Sequence, residues 1–123
     1  MAEQIFPMRY GAFRPLLSVT GMGPGLSRVG LSDDTLSIDM GWAFRAKIPL
    51  TSIADARRDD GRVGGIGVHG FRGRWLVNGA ASGLVAISVD PPTRARAVGV
   101  PVRLGYVRVS VEDPDALLAA LQR

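Results

Sequence analysis

The sequence predicts a mainly β protein with six or seven short antiparallel strands in a bent sheet or split barrel, closed by a C-terminal α-helix. Glycine and proline, 16 and 8 of 123 residues, fall between short apolar runs, as they do where turns join strands. Several runs alternate apolar and polar residues with the period of two that is typical of half-buried strands. Residues 113–122 instead have the apolar spacing of an amphipathic helix.

The size and composition of the chain set its domain organisation. A chain of 123 residues and 13.1 kDa has the size of one domain, and its hydrophobic content of 46% can fill one core. We therefore predict a single domain over residues 1–123. It consists of a β-barrel or sheet over 28–111 and a capping helix over 113–122. The secondary structure of the preceding segment, 1–25, is left open by the sequence.

The segment 1–25 fits two structures. Residues 5–9 have the composition of a strand. Residues 15–19 fit a short helix, because Pro15 stands near its start and Gly21 lies just beyond its end, but they also fit another strand. The sequence thus predicts an N-terminal strand or short helix and does not decide between them.

Two alternating runs flank Gly41 and give the clearest prediction. Residues 35–40 and 42–48 each carry an apolar side chain at every second position, and Gly41 permits a tight reversal between them. They predict a hairpin with one buried face. The opposite face of its second strand carries Arg45 and Lys47.

Turn signals divide the next part of the chain. Residues 53–58 fit a weaker strand. Residues 61–73 hold six glycines and predict a mobile loop or a glycine-rich hairpin. A short strand over 75–77 precedes Asn78 and Gly79, a strong signal for a hairpin turn to the following strand.

The last strands are predicted on either side of a basic segment. Residues 84–89 fit a strand that Asp90, Pro91 and Pro92 are expected to end. Residues 93–103 are predicted to be a basic connection. Residues 104–111 then alternate, with three valines facing inward and Ser110 facing outward.

The C-terminal helix has clear sequence signals. Asp113 is a favourable N-cap residue, and Pro114 occupies the first helical position, where its missing N–H is not needed. Leu117, Leu118 and Leu121 form one apolar stripe. We expect this helix to dock on the sheet or close one end of a barrel.

The chain resembles small uncharacterised bacterial proteins with a pleckstrin-homology-like barrel. The similarity rests on GWAFRAKIPLTSI over residues 41–53 and VSVEDPDALLAAL over 109–121, and it covers about residues 26–121. It implies a strongly bent sheet closed by a C-terminal helix, and a binding function with the ligand open. It brings no catalytic residues, and the basic headgroup motif of eukaryotic pleckstrin-homology domains is not recognisable.

Charge and cysteine content exclude several classes of site and suggest a partner. The absence of cysteine excludes a disulfide scaffold, a thiolate metal site and a cysteine nucleophile. Fourteen of the 15 cations are arginine, which suggests the coding bias of a GC-rich genome. Residues 42–110 hold eleven cations and four acids, a net charge of +7 within a chain of +4, which favours anionic partners.

No apolar run approaches the roughly 18 residues of a membrane span, and a cytoplasmic location is expected.

Five residues are the candidates for contact with an anion or ligand. Arginine binds phosphate and carboxylate through a planar fork of donors, and a histidine in a glycine-rich loop can touch a ligand. The five are Arg72, Arg74, Arg94, Arg96 and His69. Arg94 and Arg96 point the same way on an extended segment, but the sequence leaves open whether the two arginine pairs converge.

One further motif is a literal G-x-G-x-x-G over residues 65–70. A phosphate cradle of this type needs a strand before it and a helix after it. The residues that follow have the character of a strand, so nucleotide binding is not expected.

The sequence favours a non-catalytic binding or scaffold domain that acts through protein–protein or anionic-ligand and headgroup contacts. We expect no catalytic residues, no cofactor and no metal, because no catalytic or ligating constellation is visible. The partner is expected to be another protein or a second copy, with an anionic ligand or membrane headgroup as an alternative. Nucleic-acid binding through the basic middle segment and a small-ligand carrier with an internal pocket are the alternative functions.

Overall fold

The structure is a computed structural model that describes residues 3–61 and 66–122. It is mainly β, with a bent, open sheet and a short C-terminal helix, as the sequence predicted. The strands are β1 (Gln4–Phe6), β2 (Ser27–Leu31), β3 (Thr35–Met40), β4 (Phe44–Pro49), β5 (Ile53–Asp59), β6 (Gly67–Phe71), β7 (Arg74–Asn78), β8 (Leu84–Ala97) and β9 (Val100–Ser110). The helices are α1 (Arg14–Val19) and α2 (Pro114–Leu121), and short 3-10 turns span Pro24–Leu26 and Leu50–Ser52.

The described strands form one sheet in the order β1-β2-β3-β4-β8-β9-β7-β6, with β5 also paired to β8. Residues 95–97 of β8 pair with β4, whereas residues 84–89 pair with β5. Because the two halves of β8 have different neighbours, the sheet bends along β8 and β9 into two layers. Phe44 of β4 and Trp75 of β7 meet between these layers, with ring centroids 5.9 Å apart.

The strand count and one pairing differ from the prediction. Nine strands lie within the described residues, and β2 and β6 are the strands that the apolar alternation did not reveal. β7 pairs with β9 in parallel, so the sheet is not wholly antiparallel. The segment 1–25 contains both predicted alternatives, because β1 and α1 follow one another.

The predicted hairpin on either side of Gly41 is confirmed. β3 pairs with β4 from Thr35 opposite Pro49 to Met40 opposite Phe44, and the apolar side chains of both strands are buried in the core. The second strand begins at Phe44 rather than at residue 42. Trp42 therefore lies in the turn with its side chain exposed.

The predicted hairpin turn at Asn78 and Gly79 is wrong. Residues 79–83 instead cross the end of β9, because β7 and β8 lie on opposite sides of that strand. Ser110 holds this crossing, and the prediction that it faces outward is also wrong. Its buried hydroxyl accepts from the Gly79 N–H at 2.9 Å and donates to the Arg9 carbonyl at 3.0 Å.

Two predictions about residues 90–103 are also wrong. β8 continues through Asp90, Pro91 and Pro92, because a register shift between Ser88 and Thr93 leaves the prolines outside the ladder with β9. The supposed basic connection over 93–103 is the tip of the long β8–β9 hairpin.

The C-terminal helix is confirmed. The Asp113 carboxylate accepts a hydrogen bond from the Ala116 N–H at 3.1 Å, and Pro114 begins α2. Leu117 is fully buried in the core, with Leu118 and Leu121 packed partly against it. The apolar stripe thus anchors the helix on the sheet.

Candidate anion-binding face

One outer face of the sheet carries six exposed cations. Residues directly opposite each other on neighbouring strands share a face, and the register places Arg28, Asp39, Arg45, Arg96 and Pro101 in one row across five strands. This row runs from β2 to β9.

A second row lies two residues along the same strands. It contains Lys47 of β4, Arg94 of β8 and Arg103 of β9, with Arg94 directly opposite Arg103. Lys47 and Arg94 line one shallow groove together with members of the first row. We call the six cations, Arg28, Arg45, Lys47, Arg94, Arg96 and Arg103, the basic face.

Four of these cations have neither an ion pair nor a side-chain hydrogen bond among the residues that the structure describes. They are Arg45, Lys47, Arg94 and Arg103. Arg94 and Arg103 are directly opposite each other, and Arg45 lies between Arg96 on one side and Asp39 on the other. Like charges directly opposite on a sheet oppose folding, so this arrangement is electrostatically unfavourable in the isolated chain.

The remaining two cations have local partners. Arg28 pairs with Glu3 at 2.9 Å and more distantly with Asp39 at 3.8 Å. The Arg96 guanidinium donates to the Gly99 carbonyl at 3.1 Å. Six cations against two carboxylates leave a net charge of four, which equals the formal net charge of the whole chain. The excess positive charge of the protein is thus concentrated on this face.

Asp39 is the one acid within the rows of the face. Burial raises the pKa of its carboxyl above the ordinary aspartate value, and the positive charges of Arg45, Arg28 and Lys47 only partly offset that effect. Protonation of Asp39 therefore begins at a higher pH than for a free aspartate, and it makes the face more positive.

The predicted candidates divide between two regions. Arg94 and Arg96 point the same way, as predicted, and belong to the basic face. Arg74 and His69 instead line a groove of about 670 Å³ beside β6, β7 and β9. Arg72 lies in the β6–β7 turn, in a groove that it shares with Arg103. Arg74 therefore lies apart from the basic face, whereas Arg72 lies next to Arg103 at its edge, so the two arginine pairs do not form a single site.

The groove beside β6 is occupied by contacts within the protein. The Arg74 guanidinium stacks over the Tyr106 ring at 4.2 Å, and Arg108 pairs with Asp59 at 3.2 Å. The His69 Nε2 lies 2.9 Å from the Ile66 carbonyl oxygen. These contacts favour a structural role for His69 and Arg74.

The glycine motif over residues 65–70 does not have the context of a phosphate cradle. Residues 67–70 belong to β6, and the chain continues through a turn into β7 rather than into a helix. Gly65 lies outside the described residues.

The residues that sequence reasoning missed are Arg28, Arg45, Lys47 and Arg103. Alternation alone placed Arg45 and Lys47 on the outward face of their strand. It carried no information that β4 pairs with β8, which lies some fifty residues later in the chain. The pairing Arg45 opposite Arg96 is what joins the two sets of cations.

The described residues contain no group of three or more histidine, aspartate or glutamate side chains placed to hold a metal ion. Nor do they include a helix long and apolar enough to cross a membrane. A comparison with protein-family models, curated proteins and solved structures finds no match to this chain.

Proposed function

We propose that this chain is a non-catalytic binding domain that holds an anionic ligand against its basic face. The observation that carries the proposal is the row-by-row register that sets Arg45 opposite Arg96 and Arg94 opposite Arg103. An anion placed between such pairs would accept hydrogen bonds from both guanidinium groups and relieve their mutual repulsion.

An internal ligand site receives less support. The space between the layers is filled by large, fully buried side chains, among them Leu36, Phe44 and Leu104. The basic face, by contrast, is exposed and shallow. This arrangement favours an extended anionic surface as ligand over a small molecule carried inside.

Nucleic-acid binding is the alternative that shares the same cations. Single strands are commonly held by several bases stacked on aromatic rings. None of the residues in the two rows of the basic face is aromatic, and the exposed Trp42 in the β3–β4 turn offers one ring at the end of these rows. If a single-stranded oligonucleotide bound more tightly than a phosphate polymer of equal charge, this alternative would replace the proposal.

A protein partner or a second copy also stays a prediction. β1 and β6 end the order of the described sheet, and such edges can accept another strand. Sedimentation velocity over a range of protein concentrations would detect self-association.

The test compares two double variants with equal changes in net charge. Arg45→Gln with Arg96→Gln removes a facing pair from the basic face, and Arg57→Gln with Arg58→Gln removes two exposed cations from β5. Arg58 pairs with Asp115 at an exposed site, where an ion pair adds little stability, so the control keeps its fold.

The measurement is the salt concentration that elutes each protein from immobilised heparin. We expect the basic-face variant to elute at clearly lower salt than the wild type and the β5 variant to elute close to it. Equal shifts for both variants would show that net charge alone governs binding, and the proposal would be withdrawn.

A further inference from the structure

We infer, on the premise that the basic face binds anions, that its partner is an anionic lipid bilayer, and that an apolar end of the molecule beside this face inserts into it. The basic face alone fits many polyanions. The apolar end reduces the number of possible partners, because exposed apolar side chains are buried only by a partner with a hydrocarbon interior.

Five exposed apolar side chains lie next to the basic face, at the turns that end its strands and at the nearby end of α1. We call them the apolar end: Val19 (86% exposed), Leu26 (64%), Trp42 (55%), Val98 (60%) and Val100 (58%).

Hydrogen bonds hold these segments together. The Val98 N–H donates to the Ala43 carbonyl and the Gly41 N–H to the Leu26 carbonyl, both at 2.9 Å. The Trp42 indole N–H donates to the Thr20 carbonyl. The β3–β4 and β8–β9 turns, the end of α1 and the start of β2 thus meet at one end of the molecule.

The β8–β9 turn presents valine where the backbone disfavours it. Val98 and Gly99 both have positive φ, 52° and 78°, and such two-residue turns favour Asn-Gly. A β-branched residue at positive φ is strained. An apolar side chain kept exposed at this cost is consistent with a role in contact.

The spacing of the apolar end and the first row of cations matches a bilayer surface. Arg96 lies two residues before Val98, and Arg28 lies two residues after Leu26. Two residues of strand span about 7 Å, and the headgroup layer on each side of a bilayer is about 5–8 Å thick. With the apolar end at the acyl boundary, these guanidinium groups would lie among the lipid phosphates.

A second copy of the chain and a nucleic acid each fail to match one of the two parts, the basic face or the apolar end. A second copy docked face to face would bring six cations against six, and nucleic acid offers no apolar interior for Val98 and Val100. An anionic bilayer provides both phosphates and hydrocarbon, as amphipathic interfacial segments require.

The test measures partition onto vesicles of phosphatidylcholine alone and of phosphatidylcholine with about 30% phosphatidylglycerol. The tip variant is Val98→Asn with Val100→Thr. The first substitution gives the turn its preferred Asn-Gly sequence, and the second keeps a β-branched residue at the start of β9. The fold should therefore be retained, and the melting temperature of the variant would verify this. Phe13→Ser is the control: it replaces an exposed apolar side chain just before α1, near Gly11, whose N–H donates to the Gly79 carbonyl at the crossing between β7 and β8.

We expect wild type to bind only the anionic vesicles. The tip variant should bind about tenfold more weakly, the Arg45→Gln/Arg96→Gln variant should lose about fivefold per cation, and Phe13→Ser should bind like wild type. Lipids brominated on their acyl chains should quench wild-type tryptophan fluorescence, and Trp42→Phe should lose most of that quenching.

Two results would overturn the inference while leaving the proposed function intact. One is a tip variant that binds vesicles like wild type while the arginine variant is weakened. The other is a wild type that binds heparin but not anionic vesicles. Equal binding to both vesicle types would also refute the inference, and failure to bind heparin or vesicles would remove the proposed function as well.

Discussion

Replacing Arg94 with glutamine should make the protein more stable. Arg103 faces Arg94 directly, Lys47 lies on its other side, and Arg96 is two residues along the same strand. Across such distances, about 8 Å between charges, one pair of unit charges in water repels by about 0.5 kcal/mol. Physiological salt reduces that to about 0.2 kcal/mol. Three neighbours therefore oppose folding by roughly 0.6 kcal/mol.

The matched variant is Arg28→Gln, which makes the same change on the same face. Arg28 has carboxylates of Glu3 and Asp39 as neighbours instead of cations, so its removal should destabilise the fold. Urea unfolding followed by tryptophan fluorescence, at about 0.02 M and about 0.5 M salt, measures both effects. The gain for Arg94→Gln should shrink at the higher salt.

The critical outcome is that the two variants change the free energy of unfolding in opposite directions. If Arg94→Gln were destabilising at low salt, or if its gain were unchanged at high salt, repulsion on the basic face could not be the cause. The electrostatic reasoning behind the proposed function would then fail.

Two further changes probe the face and the core. Because burial raises the pKa of Asp39, its carboxylate loses charge at a higher pH than a free aspartate does, so binding to phosphatidylglycerol vesicles should strengthen as the pH falls, beginning above the range in which a free aspartate titrates. Asp39→Asn should bind more tightly at pH 7 and lose most of this pH dependence; an unchanged pH profile would exclude Asp39 as its source. Leu117→Ala should lower the free energy of unfolding by about 2–5 kcal/mol, since its side chain is fully buried. A loss below about 1 kcal/mol in urea unfolding would mean that α2 does not anchor on the core.

Local sequence signals predicted local structure well. The alternation on either side of Gly41 predicted β3 and β4, and the capping signal at Asp113 predicted α2, because each depends on neighbouring residues alone. The prediction of a basic connection over residues 93–103 was wrong for a different reason. Pro91 and Pro92 imitate the end of a strand, and only the register with β9 shows that β8 bulges and continues.

Only part of the candidate site could be predicted from the sequence, for the same reason. The common orientation of Arg94 and Arg96 follows from strand geometry and was predicted. The partners Arg45 and Lys47 join them through the pairing of β4 with β8, which is set by how the layers pack and has no periodicity in the sequence. Parallel pairing of β7 with β9 escaped prediction likewise, since Asn78 and Gly79 resemble a tight turn when read alone.

Because β8 pairs with strands of both layers, unfolding of one layer removes a strand that the other layer needs, and we expect the two layers to unfold together. The first half of β8 contacts β5, and its second half carries two cations of the basic face. A compound that docks on those cations would therefore raise the melting temperature of the entire chain. A simple thermal-shift screen of lipid headgroups and polyphosphates would accordingly report occupancy without any label near the contact.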